Sequence, residues 1–418
     1  MFSLFTHVSG NCIIIWAKPA FWLHFDGAVQ NVFCMLTRRH FTALTAAATL
    51  AAPAVVHSQT PRKVIIVGAG SAGMTAAYHL IRAGIDVQVL EASGRWGGRV
   101  KRDHTLANVP LDIGAEWIHD DPTILGQIVG QGETDLGVET IEYRPQTYQF
   151  WNNGKLSNFN AARHLYAEVK FYDTTWFGFF ERFVWPTIQN NVRLNAAVNR
   201  IASDGAGVTV ELSSGEKFEA DQVLVTVPIS VLKSGQIRFS NDLLPENLFA
   251  LEDVVFGQGF KVFLRFAERF YPDMLFFGSR LTALSDAWDS KIYYDAAFRK
   301  PTEQNILGLF TVNEARLPRA SLSDTQMIET VLDELSDIFG TQVRQHYQAG
   351  LVQNWSQEPF IQGSYSMTNN SDFDLSEILT SQQGRLFFAG EALGGDAQST
   401  VHGAAFSAID AVQQMMSG

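Results

Sequence analysis

Three glycines, Gly68, Gly70 and Gly73, have the G-x-G-x-x-G spacing of a dinucleotide-binding turn. The first allows a tight turn, the second lets a pyrophosphate approach the backbone, and the third lets a helix pack closely on a strand. The pyrophosphate would lie at the helix N-terminus, where free N–H groups and the helix dipole favour an anion. Glu91 follows about 20 residues later, where a carboxylate accepts hydrogen bonds from ribose hydroxyls. We therefore predict a dinucleotide site.

The kind of dinucleotide depends on Glu91 and on the turn that follows it. An acidic residue at this position argues against a 2′-phosphate, and so against NADP, but it leaves NAD and FAD open. The segment GRWGGR, residues 94–99, adds a second flexible turn with two arginines. Because guanidinium groups bind phosphate oxygens, this turn suits a more extended ligand and favours FAD.

A lysine lies in the middle of the apolar strand pattern FGQGFKVFLRF, residues 256–266. Lys261 has aromatic and aliphatic neighbours, and a buried lysine must be paired, hydrated or functional. The alternative is a lysine on an edge strand that faces solvent. The sequence alone leaves both interpretations open.

The elements that would position these residues alternate between strands and helices. A β-branched run over 64–67 predicts a strand buried on both faces, the glycines open an apolar helix through residue 83, and residues 87–90 form a second strand. Later segments predict a hairpin over 207–218, a strand over 223–227, a helix over 323–339, and a strand and helix within 385–416. This order predicts an α/β fold with a parallel sheet.

Length and composition limit the possible functions. The 418 residues exceed a usual single domain and 46% of them are hydrophobic, so we expect two interleaved domains with a large core. The net charge of −12 argues against nucleic acid as a partner. An acidic surface could steer cationic amines or could simply be solvated. The histidines lack the paired spacing of a metal site, so we predict no metal.

Residues 35–59 have the features of a twin-arginine export signal. Arg38 and Arg39 precede an alanine-rich apolar stretch that ends in an A-x-A-like cleavage site at residues 52–54. This route carries folded proteins, which fits a protein that acquires a cofactor before export, and it predicts a periplasmic or secreted location. The alternative is an N-terminal amphipathic helix, against which Pro53 argues.

The residues before this signal lack an apolar run of the roughly 20 residues that a membrane helix needs. We expect translation to start at Met35 and the mature chain to have no stable membrane span. Both cysteines, Cys12 and Cys34, lie in the leader of residues 1–59. A mature chain would therefore have no disulfide, no thiolate metal site and no cysteine-linked flavin.

Four segments in this order resemble the flavin-containing amine oxidase family, which includes monoamine oxidases, polyamine oxidases and lysine-specific histone demethylases. They are the glycine turns within 63–99, VPLDIGAEWIHD at 109–120, WSQEPFIQGSY at 355–365, and RLFFAGEALGGDAQSTVHGAA at 385–405. The resemblance extends over residues 62–416. It implies a Rossmann-like FAD-binding domain interleaved with an α+β substrate domain.

The resemblance also implies where these two domains lie in the chain. After the leader, we expect the FAD-binding domain to comprise residues 60–120, 191–240 and 346–418. The substrate domain would comprise residues 121–190 and 241–345.

The cofactor implied is non-covalent FAD, because Ser364 stands where monoamine oxidases carry a flavin-linked cysteine. Gly114 is expected to be glycine because backbone must lie close to the flat ring. The residues expected to surround FAD are Gly68, Gly70, Ser71, Ala72, Gly73, Glu91, Ala92, Arg95, Gly98, Arg99, Gly114, Ala115, Glu116, Trp117, Val198, Trp355, Gly390, Glu391, Thr400 and Val401.

Five residues are expected to serve the reaction. In the family, the lysine that matches Lys261 holds a water at the flavin N5 edge and promotes reaction with oxygen. Trp355 lies beside the flavin, and Tyr365 forms one wall of an aromatic cage that orients the amine. Thr400 stands where monoamine oxidases place the second cage tyrosine, so the cage is open there. His119 matches a histidine near the amine path of polyamine oxidases, although a structural role is equally open.

The implied reaction is hydride transfer from the carbon beside a neutral amine nitrogen to flavin N5. Water would hydrolyse the resulting imine, and oxygen would be reduced to hydrogen peroxide. The partners are thus a small-molecule amine and O2, and the protein would be a monomer or homodimer. Two alternatives are an FAD-dependent desaturase or porphyrinogen-type oxidase that acts on C–C bonds, and an exported protein that binds flavin without turnover.

Overall fold

The computed structural model describes residues 7–8, 13–14, 63–159, 167–203, 205–240, 251, 254–278, 290–312, 321–368, 379 and 385–417. The chain divides into two compact units, residues 1–57 and residues 58–418. In the first unit, the described residues form one antiparallel pair of short strands, His7–Val8 and Ile13–Ile14. The predicted export signal at 35–59 lies outside the described residues.

A five-stranded parallel sheet, here called the cofactor sheet, carries the glycine turn in the second unit. Residues 64–67 are buried because their β-branched side chains fill both faces of the sheet. The predicted α/β class with a parallel sheet is confirmed. The strand order is Val192–Arg193, Asp86–Leu90, Lys63–Val67, Gln222–Val225 and Leu386–Phe388.

Different layers cover the two faces of the cofactor sheet. Helices Ser71–Arg82 and Val401–Ser417 pack with Val64 and Ile66 in one apolar core. Ile65 and Val67 point to the other face, because side chains alternate along a strand, and pack with a four-stranded sheet. The strand order of that sheet is Lys217–Ala220, Val208–Leu212, Val198–Ser203 and Arg238–Phe239. It contains the predicted hairpin.

A mixed seven-stranded sheet forms the other large layer. Its strand order is Tyr347–Asn354, Gly259–Phe266, Asn305–Val312, Ser290–Asp295, Met274–Phe277, Tyr148–Asn152 and Lys155–Asn158. Tyr347–Asn354 pairs with Gly259–Phe266, although the predicted boundary at residue 346 groups it with the cofactor segments. Gly259–Phe266 therefore has a neighbouring strand on each side.

The helix Asp324–Phe339 determines which face of this sheet is free. It starts at a capping box between Ser323 and Gln326 and packs its apolar side on Val262 and Leu264. Lys261 and Phe263 point the opposite way, because side chains alternate along a strand. This alternation turns Lys261 away from the helix.

Shorter elements complete the described fold. The remaining helices are Ile124–Ile128, Trp176–Phe183, Trp185–Ile188, Ile229–Lys233 and Gln342–His346. Short strand pairs join Arg102–Asp103 to Leu111–Asp112, Thr140–Tyr143 to Glu168–Phe171, and Val254–Phe256 to Ser366–Thr368. Single 3₁₀ turns occupy Gln189–Asn191, Trp355–Gln357, Glu391–Leu393 and Gly395–Ala397. No helix within the described ranges combines the length and apolarity needed to cross a membrane.

Candidate active site

One cavity of about 830 Å³ is lined both by loops at the ends of the cofactor-sheet strands and by the free face of the seven-stranded sheet. Every residue predicted above for cofactor or substrate lines this cavity except Gly73. The structure therefore brings the predicted dinucleotide residues and the predicted catalytic residues into one space.

Gly73 lies at the contact between the first helix and the cofactor sheet. A Cβ atom added to Gly73 would lie 2.0 Å from the carbonyl oxygen of Gly68. Backbone cannot accept so short a contact, so the helix approaches the strand this closely only with glycine there, which is the packing role that the motif predicts. At Gly70, an added Cβ would have no protein atom within 4 Å, which leaves room for a ligand.

Glu91 is buried at the end of Asp86–Leu90, and its carboxylate is fixed by the protein. Oε2 accepts a hydrogen bond from the Ala69 N–H at 2.7 Å. Oε1 accepts bonds from the Ser93 N–H at 2.9 Å and from the Ser93 hydroxyl at 2.8 Å. Since a carboxylate has about four acceptor sites, one remains for a ligand hydroxyl.

Arg99 and Glu391 form an ion pair in the cavity wall. The Arg99 guanidinium donates to Glu391 Oε1 at 3.0 Å and to the Ser364 carbonyl at 2.8 Å. Glu391 also accepts bonds from the N–H and the hydroxyl of Ser366. The Glu391 carboxylate faces protein donors, so its direct contact with a ligand stays a prediction.

The N-termini of two helices meet at this cavity. The Ser71 hydroxyl donates to the Val401 carbonyl at 3.0 Å, which ties the starts of Ser71–Arg82 and Val401–Ser417 together. The first turns of both helices carry free N–H groups and the positive end of the helix dipole. Arg95 and Arg99 add donors to the same cavity, and Glu91 adds an acceptor, so the polar groups fit a dinucleotide that has two phosphates and a ribose.

Lys261 is only 5% exposed and lies on a central strand, which excludes a solvent-facing edge lysine. Its Nζ donates to Glu116 Oε2 at 2.8 Å and to the Asp112 carbonyl at 3.3 Å. Lys170 pairs with the other carboxylate oxygen of Glu116, and the Tyr294 hydroxyl also donates to Oε2. We call Glu116, Lys170, Lys261 and Tyr294 the lysine cluster.

The charge on Glu116 follows from these contacts. Burial alone would raise the pKa of Glu116, but the ammonium groups of Lys170 and Lys261 outweigh it and lower the pKa to about 2. The carboxylate is therefore ionised between two lysines. Glu116 is predicted above as a cofactor-binding residue; although it lines the cavity, its carboxylate is already engaged by protein groups, because two buried ammonium groups require a counter-ion.

Lys170 is 1% exposed and is surrounded by aromatic rings. Its Nζ lies 4.6 Å from the ring centroid of Trp117, 4.8 Å from that of Tyr143 and 5.2 Å from that of Tyr294. Cation–π attraction adds to the ion pair with Glu116 in holding this ammonium. The protein thus fills an aromatic cage with its own lysine.

Two further buried groups lie near the lysine cluster. Burial raises the pKa of Asp112 well above its usual range. Burial, together with repulsion from Lys170, lowers the pKa of Lys300 to about 8. Lys300 Nζ donates to the Phe171 carbonyl at 3.0 Å. These shifts show how strongly this region is desolvated.

Contacts within the protein already require glycine at position 114. An added Cβ would lie 1.8 Å from the Arg99 carbonyl oxygen and 3.1 Å from the Trp355 ring. Two protein segments thus leave no space for a side chain, while the expected contact of this backbone with a flat ligand ring stays a prediction.

Trp355 and Tyr365 form an aromatic part of the cavity wall. Trp355 is 5% exposed, and its indole N–H donates to the Ile113 carbonyl at 3.3 Å. Burial, with a smaller effect of Glu391, raises the pKa of Tyr365 to about 12. Tyr365 therefore presents a neutral phenol to the cavity at physiological pH.

Thr400 serves as the N-cap of the last helix. Its hydroxyl accepts a bond from the Gly403 N–H at 2.9 Å and donates to the Ala397 carbonyl at 2.7 Å. The hydroxyl is committed to the helix end, although the residue also lines the cavity. The structure thus gives Thr400 a capping role that the sequence interpretation missed.

His119 and Glu168 form a second pair in the cavity wall. His119 Nδ1 lies 3.1 Å from Glu168 Oε1, and the His119 side chain is 42% exposed. A backbone bond from the Ile118 N–H to the Val169 carbonyl, 2.9 Å long, joins their two segments. His119 has a left-handed φ of +58°, which is uncommon for a residue other than glycine.

Sequence reasoning missed Lys170, Glu168 and Tyr294. Lys170 carried a signal, since it stands between Val169 and Phe171 just as Lys261 stands in an apolar strand. Glu168 and Tyr294 had none, because their importance depends on the segments that fold against them. Within the described ranges, no group of three or more histidine, cysteine or acidic residues is arranged to hold a metal ion.

Comparison with known proteins places these features in a family context. The family described as flavin containing amine oxidoreductase matches residues 71–172 and 184–416. Polyamine oxidase 4 of Oryza sativa subsp. japonica is 24% identical over 441 residues, which cover 85% of this chain and 88% of that protein. Lysine-specific histone demethylase 1B of Mus musculus is 26% identical over 439 residues, which cover 83% of this chain and 52% of that protein.

Solved structures share the fold. Wild-type putrescine oxidase bound to putrescine superposes with a TM-score of 0.69 at 17% identity, over 85% of this chain and 99% of that chain. Cyclohexylamine oxidase from Brevibacterium oxydans superposes with a TM-score of 0.68 at 17% identity, over the same shares.

Proposed function

The chain belongs to the flavin-containing amine oxidoreductase family, and we propose that it is an FAD-dependent oxidase of polyamines or of other primary or secondary amines. The proposal depends above all on one observation. A single cavity joins a dinucleotide-binding turn to a wall that carries Lys261, Trp355 and Tyr365.

FAD is the flavin that suits this cavity. Glu91 has an acceptor site for a ribose hydroxyl, and the paired helix N-termini with Arg95 and Arg99 offer donors to a pyrophosphate. We propose that FAD is held without a covalent bond, since Ser364 cannot form the thioether link of a cysteine and both cysteines precede residue 35.

Bound flavin supplies the hydride acceptor and the route of electrons to oxygen. The chain's own residues supply orientation and a dry wall. Trp355 and Tyr365 offer aromatic surfaces that orient an amine nitrogen. The lysine cluster, with two ammonium groups for one carboxylate, disfavours a further cation beside it and so favours the neutral amine. The proposed products are an imine, which water hydrolyses, and hydrogen peroxide.

Polyamines carry further ammonium groups that need a partner. Glu168 lines the cavity, and its carboxylate is paired only with a partly exposed histidine among the contacts described above. A substrate ammonium can compete with His119 for this carboxylate, because both are hydrogen-bond donors to it. We therefore propose Glu168 as the acceptor for the distal ammonium of a diamine or polyamine.

Two further proposals concern the protein in the cell. We propose export through the twin-arginine signal at 35–59, which supports a periplasmic or secreted location. We also propose that the working form is a monomer or homodimer. Proteomic identification of the mature N-terminus and light scattering of the purified protein test these two points.

The decisive experiment uses the purified protein with bound FAD. Putrescine, spermidine, tyramine and histamine are added without oxygen, and bleaching of the flavin absorption band is recorded. Air is then admitted and hydrogen peroxide is measured. Putrescine with a quaternary trimethylammonium group at each end, which cannot become a neutral amine, is the matched control and should cause no bleaching. A purified protein that stays colourless and refuses added FAD would contradict the proposal.

A further inference from the structure

Two ion pairs connect the same two segments of the cavity wall. In one pair the first segment supplies the acidic residue, and in the other pair the second segment does. Glu116 pairs with Lys170, and His119 pairs with Glu168, with the bond between the Ile118 N–H and the Val169 carbonyl between them. The outer pair is partly exposed, whereas Glu116 and Lys170 are 5% and 1% exposed. The inner pair therefore forms in a far less polar environment, where charges interact more strongly.

The inner pair does not stand alone, since Glu116 also binds Lys261. Glu116 Oε2 lies 2.8 Å from Lys261 Nζ, while Lys170 takes the other carboxylate oxygen. A lysine side chain has four rotatable bonds and would otherwise sample several positions. Glu116 and the Asp112 carbonyl fix the Nζ atom of Lys261 at one place in the cavity wall.

The charges of the cluster do not cancel. Lys170 and Lys261 contribute two positive charges and Glu116 one negative charge. A wall with a positive balance favours an anion, or developing negative charge, in the adjoining cavity. Besides Tyr294, the ionisable groups that face the cluster are Asp112, Lys300, Tyr143 and Asp295.

We propose that Glu116, anchored by Lys170, is a positioning residue that fixes the Lys261 ammonium as a permanent cation in the cofactor wall. The inference rests on the proposed function, because it concerns the residue placed beside the flavin. Glu116 acts through Lys261 and has no direct part in the chemistry.

The physical consequence of losing Glu116 is specific. Glu116→Gln leaves two buried ammonium groups around a neutral amide. Burial disfavours a charged lysine that lacks a counter-ion, so one proton is released at a pH where wild type keeps it. Because Lys170 is held by three aromatic rings, Lys261 is the lysine that loses its proton.

The test measures the reduction potential of bound FAD from mildly acidic to mildly alkaline pH. In Glu116→Gln, the difference from wild type should change with pH, and the variant's potential should fall as Lys261 deprotonates and the wall loses a positive charge. In the double variant Glu116→Gln with Lys261→Met, this new ionisation should disappear. Glu142→Gln changes the same charge at an exposed position outside the cavity and should follow wild type at every pH.

Two results would overturn the inference. One is a difference between Glu116→Gln and wild type that is constant with pH. The other is an ionisation that persists in the double variant, which would assign it to Lys170 or Lys300. The measurement does not depend on turnover, so a wild-type protein that binds FAD but oxidises no amine would defeat the proposed function and leave this test intact.

A second variant keeps the test decisive if Glu116→Gln fails to fold. Lys170→Met leaves Glu116 and Lys261 as a balanced pair and removes the net positive charge. The flavin potential should then fall by the same amount at each pH, with no new ionisation. An unchanged potential would show that the cluster does not act on the cofactor, and would reject the proposal.

Discussion

The two ends of the cavity are built in contrasting ways. At the dinucleotide end, the glycine turn, Glu91 and Ser93 come from one continuous stretch of chain, and neighbours in that stretch hold the Glu91 carboxylate in place. At the other end, Lys261 meets Glu116 across 145 positions of sequence, and Lys170 comes from a third segment.

The contrast shows what each end depends on. The dinucleotide end depends on backbone geometry, where a single added carbon atom would collide with the chain. The lysine cluster depends on a balance of buried charges, which can survive small changes of shape but not the loss of a counter-ion. Substitutions should therefore disturb stability and binding at one end, and electrostatics at the other.

The largest effect on stability is expected from Gly73→Ala. The new Cβ would lie 2.0 Å from the Gly68 carbonyl oxygen, so helix and strand must separate. Overpacking of this kind costs about 1–3 kcal/mol and sometimes more, and the thermal unfolding midpoint should fall with loss of bound FAD.

Gly70→Ala is the matched control, because an added Cβ there meets no protein atom within 4 Å. It should leave the midpoint of the FAD-free protein unchanged but weaken FAD binding. Equal destabilisation by both variants would contradict the separate roles.

Lys261→Met tests the opposite end. Loss of one preorganised charged donor typically slows a reaction by roughly 10²–10³-fold. We expect reoxidation of the reduced flavin by oxygen to slow by this order, with the unfolding midpoint little changed because methionine is similar in length. Stopped-flow mixing of the reduced protein with oxygenated buffer measures the rate. Lys217→Met, at an exposed lysine outside the cavity, should react like wild type. A normal rate in Lys261→Met would remove its proposed role.

The same contrast explains what could be predicted from sequence. The strand, glycine turn, helix and second strand were predictable because their signals are local: β-branched runs, glycine spacing and a carboxylate at the strand end. Lys261 stood out as a buried lysine, but its partner did not. Glu116 was grouped with the cofactor residues, since nothing local shows that Lys170 folds back onto it.

Thr400 shows the same limit on a smaller scale. Its position in a family motif suggested a substrate wall, yet its hydroxyl caps the final helix. The strand Tyr347–Asn354 is a further case, because its pairing with Gly259–Phe266 is non-local and could not be derived from its own residues.

Glu168→Gln tests the partly exposed ion pair of Glu168 with His119, which belongs neither to the glycine turn nor to the lysine cluster. Loss of a charged acceptor for an ammonium costs about 1.5–3 kcal/mol when buried, and less here because solvent screens the pair. We expect the KM for putrescine to rise about tenfold, equivalent to about 1.4 kcal/mol, with kcat little changed. Benzylamine, which has no second ammonium, should show no such rise. Equal effects on both amines would indicate a structural rather than a recognition role, and Glu142→Gln controls for the change of charge.

Thr400→Ala is expected to give the smallest effect and to decide whether this position belongs to the helix or to the substrate. The hydroxyl accepts the Gly403 N–H, and removal of such a cap costs about 1 kcal/mol of stability. Thr400→Ser keeps the cap and should restore the unfolding midpoint. Both variants remove the γ-methyl group from the side chain that lines the cavity, so a substrate role would change the KM of both. A capping role predicts that stability separates alanine from serine while their KM values agree. The opposite pattern, with equal midpoints and altered KM values, would assign Thr400 a role in binding the substrate rather than in capping the helix.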